Sequence, residues 1–457
     1  MPAASIPNRR NLKWLALARP LWGRAGPAAA EHGVVHKAVS PEAQISGTVT
    51  DEMPEAPRIY LDLSRLIYAT WTRTPVGIPR VELAYAEYFL ESCPGRLAFV
   101  VMDTFGHLNI LDAGRAANFV RAIASYWQRG VGSDLAYVNI VIRSLLIHTE
   151  LLVRRWGSLA NAIESPHGAG VYIIPSQLHL ERPRLVEPLK KTGRLRLAYF
   201  VHDILPVTFP EYFPPDAEDR CRRRMQTAAR FADYVIANSH DTANAFRSAF
   251  APERDQGSII VAPLGLNVVK DTPPRSVTSS SYFVIVGTIE PRKNHLMILN
   301  IWRRLGGEKG LAAPRLIIVG SRGWENENVI DMLERTPVFR DLVEERPRLS
   351  DEEMTRLLTG AQALILPSFA EGYGLPLAEA LAVGVPALCS DIPVFREVGG
   401  DVPEFIDPLD GPAWYRAIVD YQNAISPRRQ AQIQRLGHWR PPTWKDHFEK
   451  LMPLLRG

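Results

Sequence analysis

The chain has 457 residues, too many for one ordinary core, so two or three domains are expected. Its composition is globular, 46% hydrophobic and 22% charged, and a net charge of +4 gives no argument for a nucleic-acid partner. Cys93, Cys221 and Cys389 lie far apart and in no metal spacing, which points to a reducing compartment and away from a disulfide framework.

Residues 1–56 are rich in Ala, Pro and Arg and show no sustained period. Basic residues there interleave with Trp14, Leu15, Leu17, Leu21 and Trp22. Two readings stay open: a disordered tail, or peripheral contact with an anionic membrane surface. Arg19 and Pro20 cut the apolar stretch Trp14–Ala18, so it does not read as a secretory signal. No apolar run reaches the roughly 18 residues that a membrane-spanning helix needs.

Arg58–Leu63 reads as a buried strand that opens a first α/β domain over residues 57–270. Residues 64–76 read as an irregular connection. Gly77 then precedes an amphipathic helix with Val81, Ala84, Tyr85, Tyr88 and Phe89 on one face, and Arg80 lies near its start. A glycine between a first strand and a first helix lets backbone approach a ligand. Leu97–Met102 and Val171–Pro175 read as strands, and Val138–Trp156 as an apolar helix with basic ends. The strand Arg196–Val201 runs into His202 and Asp203, at the strand end where α/β enzymes place working groups. A helix over Arg220–Ala232, a strand over Asp233–Ala237, a helix over Thr242–Phe250 and a strand over Ile259–Pro263 complete this half. Residues 271–281 have linker composition.

A second domain is expected over residues 282–441, starting with the strand Tyr282–Val286 and then Gly287-Thr288. Arg292 and Lys293 follow; a planar fork beside a point charge suits a diphosphate. The strand Arg315–Val319 leads to Gly320 and Gly323; further on come an extended segment near Pro347–Leu349 and a helix over Asp351–Leu358. Next is a βαβ unit: strand Ala363–Leu366, loop Gly372-Tyr373-Gly374, a helix opening at Pro376, and strand Ala387–Cys389. Glu371 and Glu379 bracket that loop, so both can face the crevice at the carboxyl ends of the strands. Helix-start N–H groups suit an anion, and a carboxylate accepts hydrogen bonds from vicinal hydroxyls. A helix over Pro412–Ile425, a basic tail and a last helix over Lys445–Leu455 end the chain.

The run EGYGLPLAE (Glu371–Glu379), with GTIEPRKNH (Gly287–His295) ahead of it, resembles the retaining GT-B glycosyltransferases of family 4, whose signature is E-x7-E around a glycine-rich centre. The likeness extends, with gaps, from about Ile59 to about Trp444. It implies a GT-B fold: two Rossmann-like, doubly wound parallel-sheet α/β domains facing across a cleft, the first completed by residues 442–457. It implies transfer of a hexosyl group with retention from a GDP- or UDP-hexose to a hydroxyl of a glycan or polyprenyl-diphosphate-linked saccharide. The GTIEPRKNH and Gly323-Trp324 elements look most like bacterial polysaccharide mannosyltransferases that use GDP-mannose. Carried over by position, the catalytic set is His202, Arg292, Lys293 and Glu371. The donor-binding set is Gly77, Gly287, Thr288, Gly320, Gly323, Gly372, Tyr373, Gly374, Leu375 and Glu379, with Asp203 and Arg80 on the acceptor side. Val138–Trp156 is then a core or acceptor-side helix in preference to one leaning on a membrane.

Two positions depart from the pattern: Val76–Gly77 keeps one glycine where the family often has two, and Thr288 stands where some members carry an arginine. There is no D-x-D pair, so neither metal nor cofactor is expected, and the Arg292/Lys293 pair takes the metal's place. The expected location is the cytoplasm, with peripheral membrane contact left open. Another GT-B enzyme, such as a nucleotide-sugar epimerase, and a catalytically silent nucleotide-binding scaffold remain as alternatives. Retention of His202, Arg292, Lys293, Glu371 and Glu379 together speaks against the scaffold, and no G-x-G-x-x-G follows the first strand, against a dinucleotide dehydrogenase.

Overall fold

Long Val/Ile/Leu-rich runs between glycine-rich loops build two sheets, each buried on both faces as parallel sheets require. The computed structural model describes residues 57–70, 77–103, 105–128, 134–153, 158–178, 180–266, 281–346 and 349–455. The expected tail over 1–56, the linker apart from Ser281, and Pro347–Arg348 lie outside them. The first sheet contains β1 (Arg58–Asp62), β2 (Leu97–Met102), β3 (Leu108–Ile110), β4 (Gly170–Ile174), β5 (Leu195–Val201), β6 (Tyr234–Ala237) and β7 (Ile259–Val261). Its order is β3-β2-β1-β4-β5-β6-β7, parallel except for β3. The second contains β8 (Tyr282–Val286), β9 (Arg315–Val319), β10 (Val343–Arg346), β11 (Leu364–Leu366), β12 (Ala387–Ser390) and β13 (Glu404–Ile406). Its order is β10-β9-β8-β11-β12-β13, all parallel. Strand order reverses between β1 and β4 and between β8 and β11, and crevices for ligands open at such switch points.

The helix Ile78–Ser92 buries Val81, Ala84, Tyr85 and Phe89, the face its spacing predicts. The last helix, Trp444–Leu455, packs on it: Phe448 stacks on Tyr88 at 3.7 Å between ring centroids, and Tyr85 Oη lies 2.8 Å from His447 Nε2. His447, Phe448, Leu451, Leu454 and Leu455 of that helix are buried, the apolar ones within the first sheet's core cluster. Fully burying such apolar side chains contributes about 1.5–3 kcal/mol each.

Several expectations need correction. Residues 64–69 are a helix, not an irregular connection: Asp62 Oδ1 accepts from Ser64 N, and Leu66 and Ile67 are buried. The basic tail after the helix Gly411–Gln422 contains another helix, Pro427–Leu436, capped by Ser426 and tied to the sheet by Gln432 Nε2 on the Ala387 carbonyl. The helix after the glycine loop starts at Leu375, with Pro376 second. The helix Asp134–Val153 is only half a core helix: Ile140, Ser144 and Ile147 are buried, while Leu135, Val138, Ile142, Leu145 and Leu146 are exposed. Among the described residues no helix is long and apolar enough to cross a membrane.

Candidate active site

The strand β8 ends at Val286, just before Gly287, and the following turn Pro291–Lys293 presents two cations beside the loop that follows β11. Phe369 N donates to the Arg292 carbonyl, which fixes the two loops together. Glu371 lies between both cations. Arg292 Nη1 donates to Glu371 Oε2 at 2.6 Å, and Lys293 Nζ donates to Oε1. Ser368 Oγ adds a 2.7 Å bond to Oε1. Glu290, which the sequence reading passed over, forms an ion pair with Arg292 Nη2 at 2.6 Å. The cluster therefore holds two cations and two carboxylates, nearly all of it out of water. Burial alone would raise the Glu371 carboxyl; the Arg292 and Lys293 charges overcome that and hold it at about 2. Burial pulls Lys293 below its ordinary value against the opposing charge of Glu371, whereas for Arg292 the two carboxylates outweigh burial and raise it. At neutral pH Glu371 is an anion and Arg292 a cation, and neither is free to relay a proton.

The loop carrying Glu371 is pressed against the strand end of the first sheet. A Cβ on Gly372 would come within 2.9 Å of both the His202 carbonyl oxygen and Asp203 Cβ, so only glycine allows this approach. Thr242 Oγ1 donates to the Gly372 carbonyl at 3.2 Å. Tyr373 is buried among first-sheet residues, with its hydroxyl donating to the Leu264 carbonyl. Its side chain, expected on the donor, is thus spent on docking the loop. Gly374 has φ +97, and a Cβ there would strike the Phe395 ring at 2.8 Å; Leu375 next to it packs on the first core cluster.

His202 is 8% exposed, stacked on Phe200, with Nε2 at 2.6 Å from the Pro175 carbonyl. A carbonyl only accepts, so Nε2 carries the proton and Nδ1 is the lone-pair nitrogen. Burial lowers its pKa to about 4, so the ring is neutral at physiological pH. Asp203 accepts from Leu205 N, and its carboxyl is raised by burial, with Arg292 opposing.

Glu379 sits eight residues past Glu371, on the helix Leu375–Ala382, with a third of its side chain still exposed. Burial raises its carboxyl to about 7; Arg80 lowers it, with Nη1 at 3.8 Å from Oε1, and Asp351 raises it. Arg80 also pairs with Asp351 of the helix Asp351–Gly360. Arg80 was expected on the acceptor side; the ion pairs it makes are with the helices that carry Asp351 and Glu379. Gly77 caps the helix start, so Arg80 points its long side chain across the cleft to the second sheet's side.

The remaining expected glycines sit along the edge of the second sheet. Gly287 N bonds the Val319 carbonyl, Gly320 N the Arg346 carbonyl, and Gly323 N the Ile289 carbonyl. A Cβ on Gly323 would lie 2.7 Å from the Thr288 methyl, so this loop is packed directly over Thr288. Other contacts across the cleft escaped the sequence reading. Glu397 accepts from His240 N at the start of the helix His240–Phe250, and Trp324 Nε1 donates to the Tyr212 carbonyl. Glu290 was legible as an acid beside two cations; the contacts made by Glu397 and Trp324 leave no local signal.

Residues 271–402 match the family model described as glycosyl transferases group 1. Among curated proteins the chain is similar to O-antigen chain mannosyltransferase B of Escherichia coli, 28% identical over 257 residues, 54% of this chain and 66% of that one. It is also similar to the serotype-specific mannosyltransferase WbdA of E. coli, 26% identical over 340 residues, 70% of this chain and 38% of that one. The chain thus spans less than two thirds of the length of either relative. Among solved structures, the Anabaena protein HepE in complex with UDP-glucose superposes with a TM-score of 0.56 at 16% identity, covering 87% of this chain and 99% of that one. Residues 271–402 are thus similar to the glycosyl transferases group 1 model, and the fold is that of GT-B proteins, with parallel α/β sheets on the two sides of its cleft.

Proposed function

We propose that the protein transfers a hexosyl group, with retention, from a nucleotide sugar to a hydroxyl of a glycan or lipid-linked saccharide in assembly of a bacterial surface polysaccharide. The observation that carries this reading is the buried Glu371–Arg292–Lys293 cluster, facing the His202–Asp203 strand end across the cleft. When a nucleotide sugar is cleaved, negative charge gathers on the leaving diphosphate. Arg292 and Lys293, already fixed, stabilise it without moving a proton, in the place a divalent metal would otherwise take. Ionised Glu371 stabilises the positive charge that develops on the sugar ring. Neutral His202 supplies a lone pair at Nδ1 for a hydroxyl of donor or acceptor. Glu379 accepts from the ribose or hexose hydroxyls.

The names of the E. coli relatives favour mannose, and GDP-mannose is the proposed donor. The work is done in the cytoplasm, with any membrane contact peripheral. Calorimetric titration with GDP, UDP and ADP, with and without EDTA, tests this. Selective GDP binding insensitive to EDTA is expected. Preference for UDP moves the sugar to glucose, galactose or their relatives, EDTA-sensitive binding rejects the metal-free clamp, and binding of none of the three rejects the transferase reading.

A further inference from the structure

We propose that Tyr212 and Trp324 are positioning residues for the diphosphate clamp: they tie the segment beyond His202 to both loops that hold Arg292. This rests on the transferase reading above. The turn carrying Arg292 is held between two loops of the second sheet. On one side, Gly323 N and Asn326 Nδ2 both donate to the carbonyl of Ile289, the neighbour of Glu290. On the other, Phe369 N donates to the Arg292 carbonyl at 2.9 Å, and Arg292 Nη1 donates to the Ala370 carbonyl at 2.8 Å. The backbone and the guanidinium of Arg292 therefore follow the placement of Phe369 and Ala370.

Each of these loops sends one ring to the first domain. The chain there runs from His202 and Asp203 through the short helix Leu205–Thr208 to Phe209 and the turn Pro210–Tyr212. The Tyr212 ring stacks on Phe369 at 5.4 Å between centroids and 8° between planes. The Tyr212 carbonyl accepts from Trp324 Nε1 at 3.0 Å, and the Phe213 ring lies 6.2 Å from that of Trp324. The Tyr212 hydroxyl makes no hydrogen bond among the described residues, so the ring and the carbonyl do the holding. Glu325, next to Trp324, has φ +48, a left-handed conformation that a residue with a Cβ keeps only where its surroundings over-determine it. Tyr212, Phe213, Trp324 and Phe369 are all half-buried. Their burial alone is thus incomplete; what flat, stacked rings add is a fixed geometry between the His202 strand end and the Arg292 turn.

The test is a double-mutant cycle read in nucleotide affinity. The full-length protein is titrated calorimetrically with GDP and with UDP, and the tighter of the two serves for the variants. Tyr212→Leu removes the stack and keeps an apolar side chain; it is expected to weaken that nucleotide about three- to tenfold, the scale of one aromatic pair. Tyr212→Phe keeps the ring and is expected to restore the affinity that leucine loses. In the Arg292→Ala background, Tyr212→Leu is expected to change affinity by less than about twofold, because the cation that the ring positions is gone. Trp324→Phe keeps a ring and loses only the N–H; it runs through the same cycle, with a loss of about threefold expected, and decides where Tyr212→Leu does not fold. Weakening of equal size with and without Arg292 means general support of the fold and overturns the positioning role. Affinity indifferent to Tyr212→Leu overturns it too, as does a loss that Tyr212→Phe shares. Binding of neither nucleotide by the wild type strikes the transferase reading instead.

Discussion

Glu371 and Glu379 belong to one short segment, yet their surroundings drive them apart. Glu371 sits in the loop, where Arg292, Lys293 and Ser368 surround its carboxylate and hold it at about 2. Glu379 sits inside the next helix, where burial meets only the more distant Arg80 and raises it to about 7. Burial acts on both, and paired charge decides the sign. One carboxylate is therefore a permanent anion, suited to stabilising developing positive charge. The other changes charge near neutral pH, suited to exchanging hydrogen bonds with hydroxyls. A pair of acids displaced in opposite directions is the arrangement expected where two groups serve one reaction differently.

The largest expected effect comes from removing the anion that two cations share. Glu371→Gln should lower turnover at least about 100-fold, the scale for deleting one preorganised electrostatic contact. Nucleotide affinity should stay within about threefold, since the cations remain. Initial rates of donor consumption measure this, and a wild-type rate would dissolve the distinction between the two carboxylates. Arg292→Ala comes next. It removes the fork shared by Glu290 and Glu371 and should weaken nucleoside diphosphate binding by about 1.5–3 kcal/mol. Equal affinity of variant and wild type in calorimetry would reject the clamp.

The smallest effect is at Glu379, and it is one of pH. Its folded-state pKa lies above the ordinary carboxylate value, so its share of stability is present below about pH 4 and is lost as pH rises through about 7. Glutamine has no such loss. Glu379→Gln should therefore gain on the wild type between about pH 5 and pH 8, by ~1–2 °C in Tm. A Tm difference that does not change over that range would mean that the wild-type carboxylate is ordinarily hydrated.

The features legible in the sequence are those whose cause is local. Most strands read as apolar runs ending in glycine, proline or a turn; β3, β10 and β13 did not, because β3 and β13 are three residues long and β10, Val343–Arg346, is mostly charged. The helix Pro427–Leu436 hid behind its arginines, since the residues it buries include Arg429 and Gln432, whose partners are carbonyls of distant residues. The cation pair and both glutamates were visible as motif positions. Their partners were partly so: Ser368 and Glu290 are sequence neighbours, whereas Arg80 and Asp351 are brought to Glu379 by other elements. The ion pairs of Arg80 with Asp351 and Glu379 were not legible, because helix position predicts where a side chain starts and not how far it reaches.

By itself, the sequence determined the two α/β halves, the chemistry on offer in the cation pair and the E-x7-E segment, and the need for glycine between its glutamates. Each follows from periodicity or backbone sterics within a few residues. Only the tertiary structure decided that the two cations pair with Glu371 and Glu290, and that Tyr373 anchors the loop to the first sheet. The reason is physical: ionisation and ion pairing depend on what is brought within a few ångströms and on how much water is excluded, and sequence spacing sets neither.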